Sequence, residues 1–302
     1  MPELPEVQTT VDGINLQVRG LKIADVWTDY YSHLYENHKQ IKSKKFFRRF
    51  KKDVLGTKIL KAERRAKNIL IHLSNEKIIL IHMKMTGHLL YGKYKLLKNK
   101  WVAIERGPLR DDPFNRFVHF VMSLSNDKHL VLSDMRKFAK ITVFSKEELN
   151  KEFSQTGPEP LTRDFTLKKF KECLSIGRQR NIKQILMDQG VIAGIGNIYS
   201  DEILWASGIH PLSRVEKLKA VEISNLWKNL KVILRKGIRL GGDSMSDYRD
   251  ISGKRGKFQL EHQAYRRTGE SCRKSGCKGV IRRIIVGGRS AHYCDKHQKL
   301  YA

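Results

Sequence analysis

The sequence predicts an α+β protein of several domains: a strand-rich N-terminal part, a helical middle and a small metal-bound hairpin at the end. Three observations predict it. Short apolar runs punctuated by turn residues fill the first half, helical periodicity takes over beyond residue 164, and three of the four cysteines crowd into the last 31 residues. A length of 302 residues also exceeds one ordinary core.

The elements follow in order. "MPELPE" holds two prolines and two glutamates in six residues. Behind it, in "EVQTTVDGINLQVRG", Val7, Val11, Ile14 and Val18 recur at helical spacing, so a helix is expected there. "IADVWTDYY", "KILKAERRAKNILIHL", "KIILIHM", "FVHFVMSL", "HLVLSD" and "KITVF" have strand character, and turns such as "SNEK" and "SNDK" separate them. Many short strands suggest an antiparallel sandwich or barrel. Between the first two lies "NHKQIKSKKFFRRFKKD", with eight Lys and Arg; it reads as a solvated loop or helix, or as a weak phosphate-contacting face. "SQTGPEPLTRDF" breaks regular structure at Gly157, Pro158 and Pro160 and marks a linker. "TLKKFKECLSI", "NIKQILMDQ", "IGNIYSDEILWASG" and "SNLWKNLKVILRKGIRL" are helical in period. Residues 243–265 are polar and glycine-bearing, and read as a long functional loop. The expected boundaries are 1–150 for the strand-rich domain, 151–163 for the linker, 164–264 for the helical domain and 265–302 for the cysteine-bearing tail.

Charge narrows the partners. Fifty-nine Lys and Arg against 31 acids give +28. Either the host's proteins are lysine-rich throughout, or the partner is a polyanion. Nucleic acid is the usual one, because each neutralised phosphate releases a counterion. No apolar run approaches about 18 residues, so no transmembrane helix and no membrane partner are expected. No signal peptide is visible, and a cytoplasmic location, on the nucleoid in a prokaryote, is expected.

The tail spaces its residues as C-x4-C-x16-C-x2-H, namely Cys272, Cys277, Cys294 and His297. Two short knuckles separated by a hairpin-length spacer suit one tetrahedral Zn2+, and four protein ligands make the ion structural. "VIRRIIVGGRSAHY" supplies two strands and a "GG" turn. His297 as an exposed surface histidine is the other reading. "GVIAGIGNIYSDE" places glycines before a helix, which fits a phosphate cradle and a helix-packing turn equally. At the other end, removal of Met1 would leave Pro2 with a secondary amine at the terminus. Terminal amines titrate near roughly 8, so a useful fraction is neutral and nucleophilic. Glu3 would then lie one peptide bond away as a proton shuttle. On these residues alone, "PELPE" reads equally as a stiff polar tail.

The motifs taken together resemble a known family. "MPELPEV", "RRAKNIL", "HMKMTG", "DMRKFA", "GPEPL", "GIGNIYSDEILWASGIHP" and "GGRSAHYC", in that order over nearly the whole chain, are similar to those of the formamidopyrimidine-DNA glycosylases. "PELPE" in place of "PEGPE" points to the purine-lesion branch rather than the endonuclease VIII branch. The resemblance implies a two-layer β-sandwich, a helix–two-turns–helix domain and a zinc-finger hairpin. It implies a monomeric bifunctional enzyme of base excision repair, acting on double-stranded DNA that carries an oxidised base or an abasic site. Oxidised purines would be excised through a Pro2 Schiff base, and the strand cleaved by β,δ-elimination. The 243–265 loop resembles the one with which the purine branch encloses its base.

Residue by residue, the resemblance makes Pro2 the nucleophile, Glu3 the general acid/base and Lys67 a catalytic, phosphate-contacting lysine. Glu6 matches the second glutamate of the tip, expected at the lesion. Lys183, Asn197 and Arg289 match DNA-binding positions. Met85, Arg136 and Phe138 match the side chains that fill the gap left by a flipped nucleotide, which suits an enzyme that must extrude its base. The chain departs from the family in its C-x4-C knuckle, in His297 where cysteine is usual, and in the lysine-rich segments 37–52 and 93–101. Two other readings stay open: a preference for oxidised pyrimidines, and a non-catalytic damaged-DNA or RNA binder on the same scaffold.

Overall fold

The computed structural model describes residues 1–302. They divide into two compact units, 1–154 with 240–257, and 155–239 with 258–302.

The first unit opens with helix α1 (Leu4–Gln17), followed by β1 (Ile23–Thr28), α2 (Lys44–Val54), β2 (Ile59–Arg65), β3 (Asn68–Leu73), β4 (Ile78–His82) and β5 (His88–Gly92). A small hairpin, β6 (Tyr94–Leu97) and β7 (Lys100–Ala103), precedes a single helical turn, α3 (Pro108–Asp111). Strands β8 (Val118–Leu124), β9 (His129–Ser133) and β10 (Lys140–Phe144) and helix α4 (Lys146–Glu152) complete it. Two antiparallel four-stranded sheets form, in the orders β1-β8-β9-β5 and β10-β4-β3-β2. Alternate residues of both, among them Phe120, Met122, Leu89, Ile69, Ile71, Ile79 and Ile141, meet in one buried core. This is the expected sandwich.

Strands such as "NILIHL" are apolar on both faces because the outer faces are covered too. Leu70, Ile78, Leu80 and Phe144 pack under Leu149 of α4. Leu90, Val118, Val121 and Val131 pack under Trp101 and Leu109 of the β6–β7–α3 insertion. The sides of the sandwich are closed by helices. The basic segment 37–53 contains α2, whose Phe47, Phe50 and Val54 join the core while Lys45, Arg48, Arg49 and Lys52 stay exposed. Burying each phenylalanine contributes about 1.5–3 kcal/mol, enough to fix the helix despite its charge. On α1, Val7, Val11 and Ile14 are buried as the periodicity requires.

Several expectations are corrected. "KILKAERRAKNILIHL" is a hairpin rather than one strand, because Ala66 turns at φ 54. β5 and the β6–β7 hairpin lie where no strand was expected. The basic segment 93–101 folds back at Lys98 and Asn99, both at positive φ, and its two short strands carry no alternating apolar signal. Residues 240–257 pack with the sandwich instead of the helical domain: Tyr91 N–H donates to Ile251 O at 2.7 Å, and Gly13 of α1 fits against Ile251. The expected linker splits, with 151–152 ending α4 and 155–163 belonging to the second unit.

The second unit contains α5 (Leu167–Ser175), α6 (Ile182–Met187), α7 (Asn197–Ser207) and α8 (Ala220–Arg239), then the hairpin β11 (Ile281–Val286) and β12 (Arg289–Cys294). The hairpin turns on Gly287 and Gly288, both at positive φ, as a two-residue turn demands. The turns between α6 and α7 are held by Gln189, whose amide donates to Met187 O and Ile195 O and accepts from Gly194 N. "GPEPL" pairs with the same stretch, Gly157 N donating to Gln189 O and Pro158 O accepting from Ala193 N. A Cβ on Gly157 would lie 2.6 Å from the Val191 carbonyl carbon, which is why glycine stands there. No helix of the protein is long and apolar enough to cross a membrane.

Candidate functional site

Within the first unit the acidic tip is buried rather than loose. Glu3 caps α1, and Pro5 occupies the first turn, where its missing N–H costs nothing. Glu6 returns the cap: its Oε2 accepts the Glu3 amide at 2.7 Å. Its other oxygen accepts the Asp243 amide at 2.7 Å, and the Tyr248 hydroxyl donates to its carbonyl at 2.9 Å. Pro2, Glu3 and Glu6 are all buried, with Met1 exposed beyond them. Glu6 therefore fixes the backbone of Glu3 and anchors the 240–257 segment to it. That segment is no open loop. Arg249 pairs with Asp112 at 2.7 Å, and Asn115 donates to Gly253 O. Gly242, at φ +81, lies so close to Glu6 that a Cβ would come within 2.8 Å of its carboxylate.

Lys67 sits in the β2–β3 turn and is buried. Arg64, on the strand leading into that turn, donates to Gln8 of α1 at 3.0 Å, which fixes the turn relative to the tip helix. His82 ends β4, in register with Asn68. Burial, reinforced by the Lys84 and Lys67 charges, pushes its pKa down to about 3, so the imidazole is neutral. Its Nδ1 accepts the Lys84 amide at 2.9 Å, which leaves the proton on Nε2 as a hydrogen-bond donor. Sequence reading passed over His82; nothing in its spacing marks it, only its register beside the Lys67 turn.

Met85 and Phe138 are two of the exposed large apolar residues of this unit, on the β4–β5 and β9–β10 turns. The Arg136 guanidinium stacks on the Phe138 ring, 4.4 Å from its centroid.

In the second unit, Asn197 begins α7 and lines a cleft of about 640 Å³ with Tyr265, Arg266, Arg283 and Arg289. Its side-chain oxygen is buried and has no hydrogen-bond partner. Three arginines beside a helix N-terminus concentrate positive charge on this cleft, which suits an anion. The cleft walls are fixed from α7 itself. The Asp201 Oδ2 accepts His292 N at 3.0 Å and His292 Nδ1 at 2.8 Å, both from β12. Glu202 accepts the amides of Gln263, Ala264 and Tyr265 at 2.8–2.9 Å. Burial pushes the Glu202 carboxyl above the usual range, and those three amides and the nearby His262 work against that rise. Lys183 does not reach the cleft. It is fully buried, its ammonium on the other Asp201 oxygen and on Ser290 O at 3.0 Å. The expectation of a DNA contact at Lys183 is corrected to a buried strut joining α6, α7 and β12.

Cys272, Cys277, Cys294 and His297 converge as expected, their ligand atoms all within 4.8 Å of one another. A tetrahedral zinc needs edges of about 3.8 Å between sulfurs and about 3.6 Å between sulfur and nitrogen. The Cys277–Cys294 sulfurs are 3.6 Å apart, and His297 Nδ1 lies 3.4 Å from the Cys272 sulfur and 4.0 Å from that of Cys277. His297 Nε2 donates to Trp205 O at 3.0 Å, which leaves the Nδ1 lone pair for a metal. The residues fit a four-coordinate soft-metal site. The longer knuckle is accommodated by Gly276 at φ +73.

Comparison with known proteins agrees. The formamidopyrimidine-DNA glycosylase N-terminal domain matches residues 1–141, and the formamidopyrimidine-DNA glycosylase H2TH domain matches 156–249. The formamidopyrimidine-DNA glycosylase of Herpetosiphon aurantiacus is 35% identical over 294 residues, covering 97% of this chain and 98% of its own. That of Streptococcus pyogenes is 35% identical over 301 residues, covering 99% of each. Among solved structures, the Lactococcus lactis protein in complex with abasic-site DNA superposes with a TM-score of 0.81 at 31% identity, covering 98% of this chain and 99% of that one. The wild-type Lactococcus lactis protein with DNA containing N7-benzyl-Fapy-dG gives 0.81 at 31% identity, covering 99% and 100%.

Proposed function

The chain belongs to the formamidopyrimidine-DNA glycosylase family, and on that premise we propose that it is a bifunctional DNA glycosylase and abasic-site lyase acting on oxidised purines. The observation that carries the proposal is the locked tip, in which Glu6 holds the Glu3 amide and the Asp243 amide at once. A merely polar tail has no need of a buried carboxylate clamp.

The chemistry follows from the residues. Once Met1 is removed, the Pro2 nitrogen changes from an amide to a secondary amine with a free electron pair. It attacks the sugar C1′. The bond from C1′ to the damaged base breaks, and the base leaves with that electron pair and takes up a proton. Glu3 protonates the ring oxygen as the sugar opens, giving a Pro2–C1′ iminium. The iminium acidifies the C2′ proton. Loss of that proton expels the 3′ phosphate, a second elimination expels the 5′ phosphate, and water returns the amine. Lys67 supplies positive charge beside the departing phosphates. The half-shell of Met85, Arg136 and Phe138 fills the space the extruded nucleotide leaves.

In the second unit, Asn197 and Arg289 bind backbone phosphates, with Lys183 bracing that surface from within. One zinc on Cys272, Cys277, Cys294 and His297 supplies structure only, closing the hairpin that carries Arg289. We assign catalysis to the first unit, 1–154 with the 240–257 segment braced on the tip as the lesion loop, and DNA-backbone binding to the second, whose helix–two-turns–helix precedes residue 240 and whose zinc finger occupies 265–302. The partner is damaged duplex DNA, bound by a monomer.

Incubation with duplexes carrying 8-oxoguanine or thymine glycol, read on a denaturing gel, tests the lesion class. Borohydride should trap a covalent enzyme–DNA adduct that Pro2→Gly abolishes, and Glu3→Gln should lose excision. A mature protein that retains Met1 and cleaves at full rate would overturn the assignment, and faster cleavage at thymine glycol would move it to the pyrimidine branch.

A further inference from the structure

The three side chains assigned to fill the vacated space lie on two separate turns. Met85 is in the turn between β4 and β5; Arg136 and Phe138 are in the turn between β9 and β10. Pieces on separate turns enter a duplex together only if something fixes one turn against the other.

A single buried carboxylate does so. Asp134 is fully buried at the end of β9. One of its oxygens accepts the hydroxyl of Thr86, the neighbour of Met85. The other accepts the Ala139 amide at 2.8 Å, just past Phe138, and the Tyr30 hydroxyl at 2.8 Å, from the segment after β1. The Thr86 hydroxyl oxygen accepts in turn from the Arg136 amide at 3.2 Å. The Asp134 carbonyl accepts the Lys137 amide at 3.1 Å. Both turns are thus tied to one side chain, and the Arg136 backbone is tied to it through Thr86. The Tyr30 phenol is held in its donor form, since burial and the Asp134 charge both raise its pKa.

The turns need the restraint. Lys84 and Lys137 both adopt left-handed backbone, at φ 56 and φ 54. That conformation is costly for a residue with a Cβ and persists only when the surroundings impose it. On the outer side, Lys42 donates to Lys137 O at 2.7 Å and Lys137 reaches Asp29. Arg136 and Phe138 stack on each other, so whatever fixes the Arg136 backbone fixes the pair.

We propose that Asp134 is a positioning residue that couples the two turns, so that Met85, Arg136 and Phe138 insert as one unit and Arg136 meets the unpaired base in a fixed geometry. The inference rests on the insertion role given above to those three side chains. A purely structural role for Asp134 would cost stability and leave base preference alone.

The test separates the two. Asp134→Asn keeps the size but replaces one acceptor oxygen with a donor amide, Thr86→Val cuts only the link between the turns, and Tyr30→Phe removes one strut. Excision of 8-oxoguanine is measured opposite each of the four bases, and insertion is followed by the fluorescence of 2-aminopurine beside the lesion's partner. Thermal melts confirm folding, and Arg136→Ala is the control. Asp134→Asn and Thr86→Val should compress the ratio of best to worst opposite base by at least about fivefold, the lower end of what a bidentate arginine contact supplies. Both should slow the fluorescence change, Tyr30→Phe less so. If Asp134→Asn fails to fold, Thr86→Val decides. An unchanged ratio and insertion rate in the folded variants, with Arg136→Ala flattening the ratio, would overturn the coupling and leave the insertion reading intact. An unchanged ratio in Arg136→Ala as well would sink the insertion reading, and the coupling with it.

Discussion

Lys183 offers the sharpest contrast between a surface contact and a buried strut. In the structure its ammonium and the Asp201 carboxylate are both fully buried, and the ammonium also donates to Ser290 O. Lys183→Met keeps most of the apolar stem and removes the charge. Asp201 then remains buried with its His292 contacts but without its cation, and breaking such a pair typically costs about 3–5 kcal/mol. Asp201→Asn should cost a comparable amount. The double variant should cost less than the sum, because removing both partners leaves no orphan charge. The readouts are urea unfolding and affinity for an abasic-analogue duplex at several salt concentrations. A phosphate-binding lysine contributes about 0.9 to the slope of log K against log salt. For the strut, stability falls while the slope stays the same. A slope reduced by nearly one with stability intact would refute the reasoning and return Lys183 to the DNA surface.

Other outcomes follow from the same geometry. Gly242→Ala forces a Cβ against Glu6 at positive φ, so it should lose about 1–3 kcal/mol of stability and slow excision, checked by melting and single-turnover kinetics. Arg136→Ala should flatten opposite-base preference more than it weakens binding, checked by competition among four duplexes. Elemental analysis should give about one zinc per chain, His297→Ala should lower that occupancy and DNA affinity together, and active protein without metal would show the hairpin to be held by packing alone. Phe50→Ala, emptying a fully buried site under α2, should cost about 3–5 kcal/mol by thermal or chemical melt.

What the sequence disclosed and what it hid divide along a physical line. Val7, Val11 and Ile14 announced α1 because one face of it is buried, and the sandwich strands announced themselves by their apolar runs. The hairpin ligands were legible because metal coordination fixes residue type and spacing together. β6 and β7 were missed because each is only four residues long, with the burial patterns of an edge hairpin and no apolar alternation to mark them. Helix α2 was ambiguous because its eight-cation segment hides three phenylalanines of which two are buried. Long-range polar pairings left no local trace at all. Nothing near Asp134 signals Thr86 or Tyr30, and nothing near Asp201 signals Lys183 or His292. Nor does anything in "MPELPE" signal that the Glu6 carboxylate holds the Glu3 and Asp243 amides.

The Glu6–Asp243 hydrogen bond spans 237 positions of sequence. A ribosome adding roughly 5–20 residues per second exposes the tip helix long before it makes the amide that Glu6 must meet, with an interval of roughly 10–50 s between them. Throughout that interval the sandwich strands are already available to pair, yet Glu3 lacks its clamp. Any chain released early, by a stop codon, a broken message or proteolysis before residue 240, would carry Pro2 and Glu3 without the segment that seats them. The fold thereby makes completeness of the polypeptide a condition for an assembled tip, which suits a protein whose proposed chemistry severs DNA.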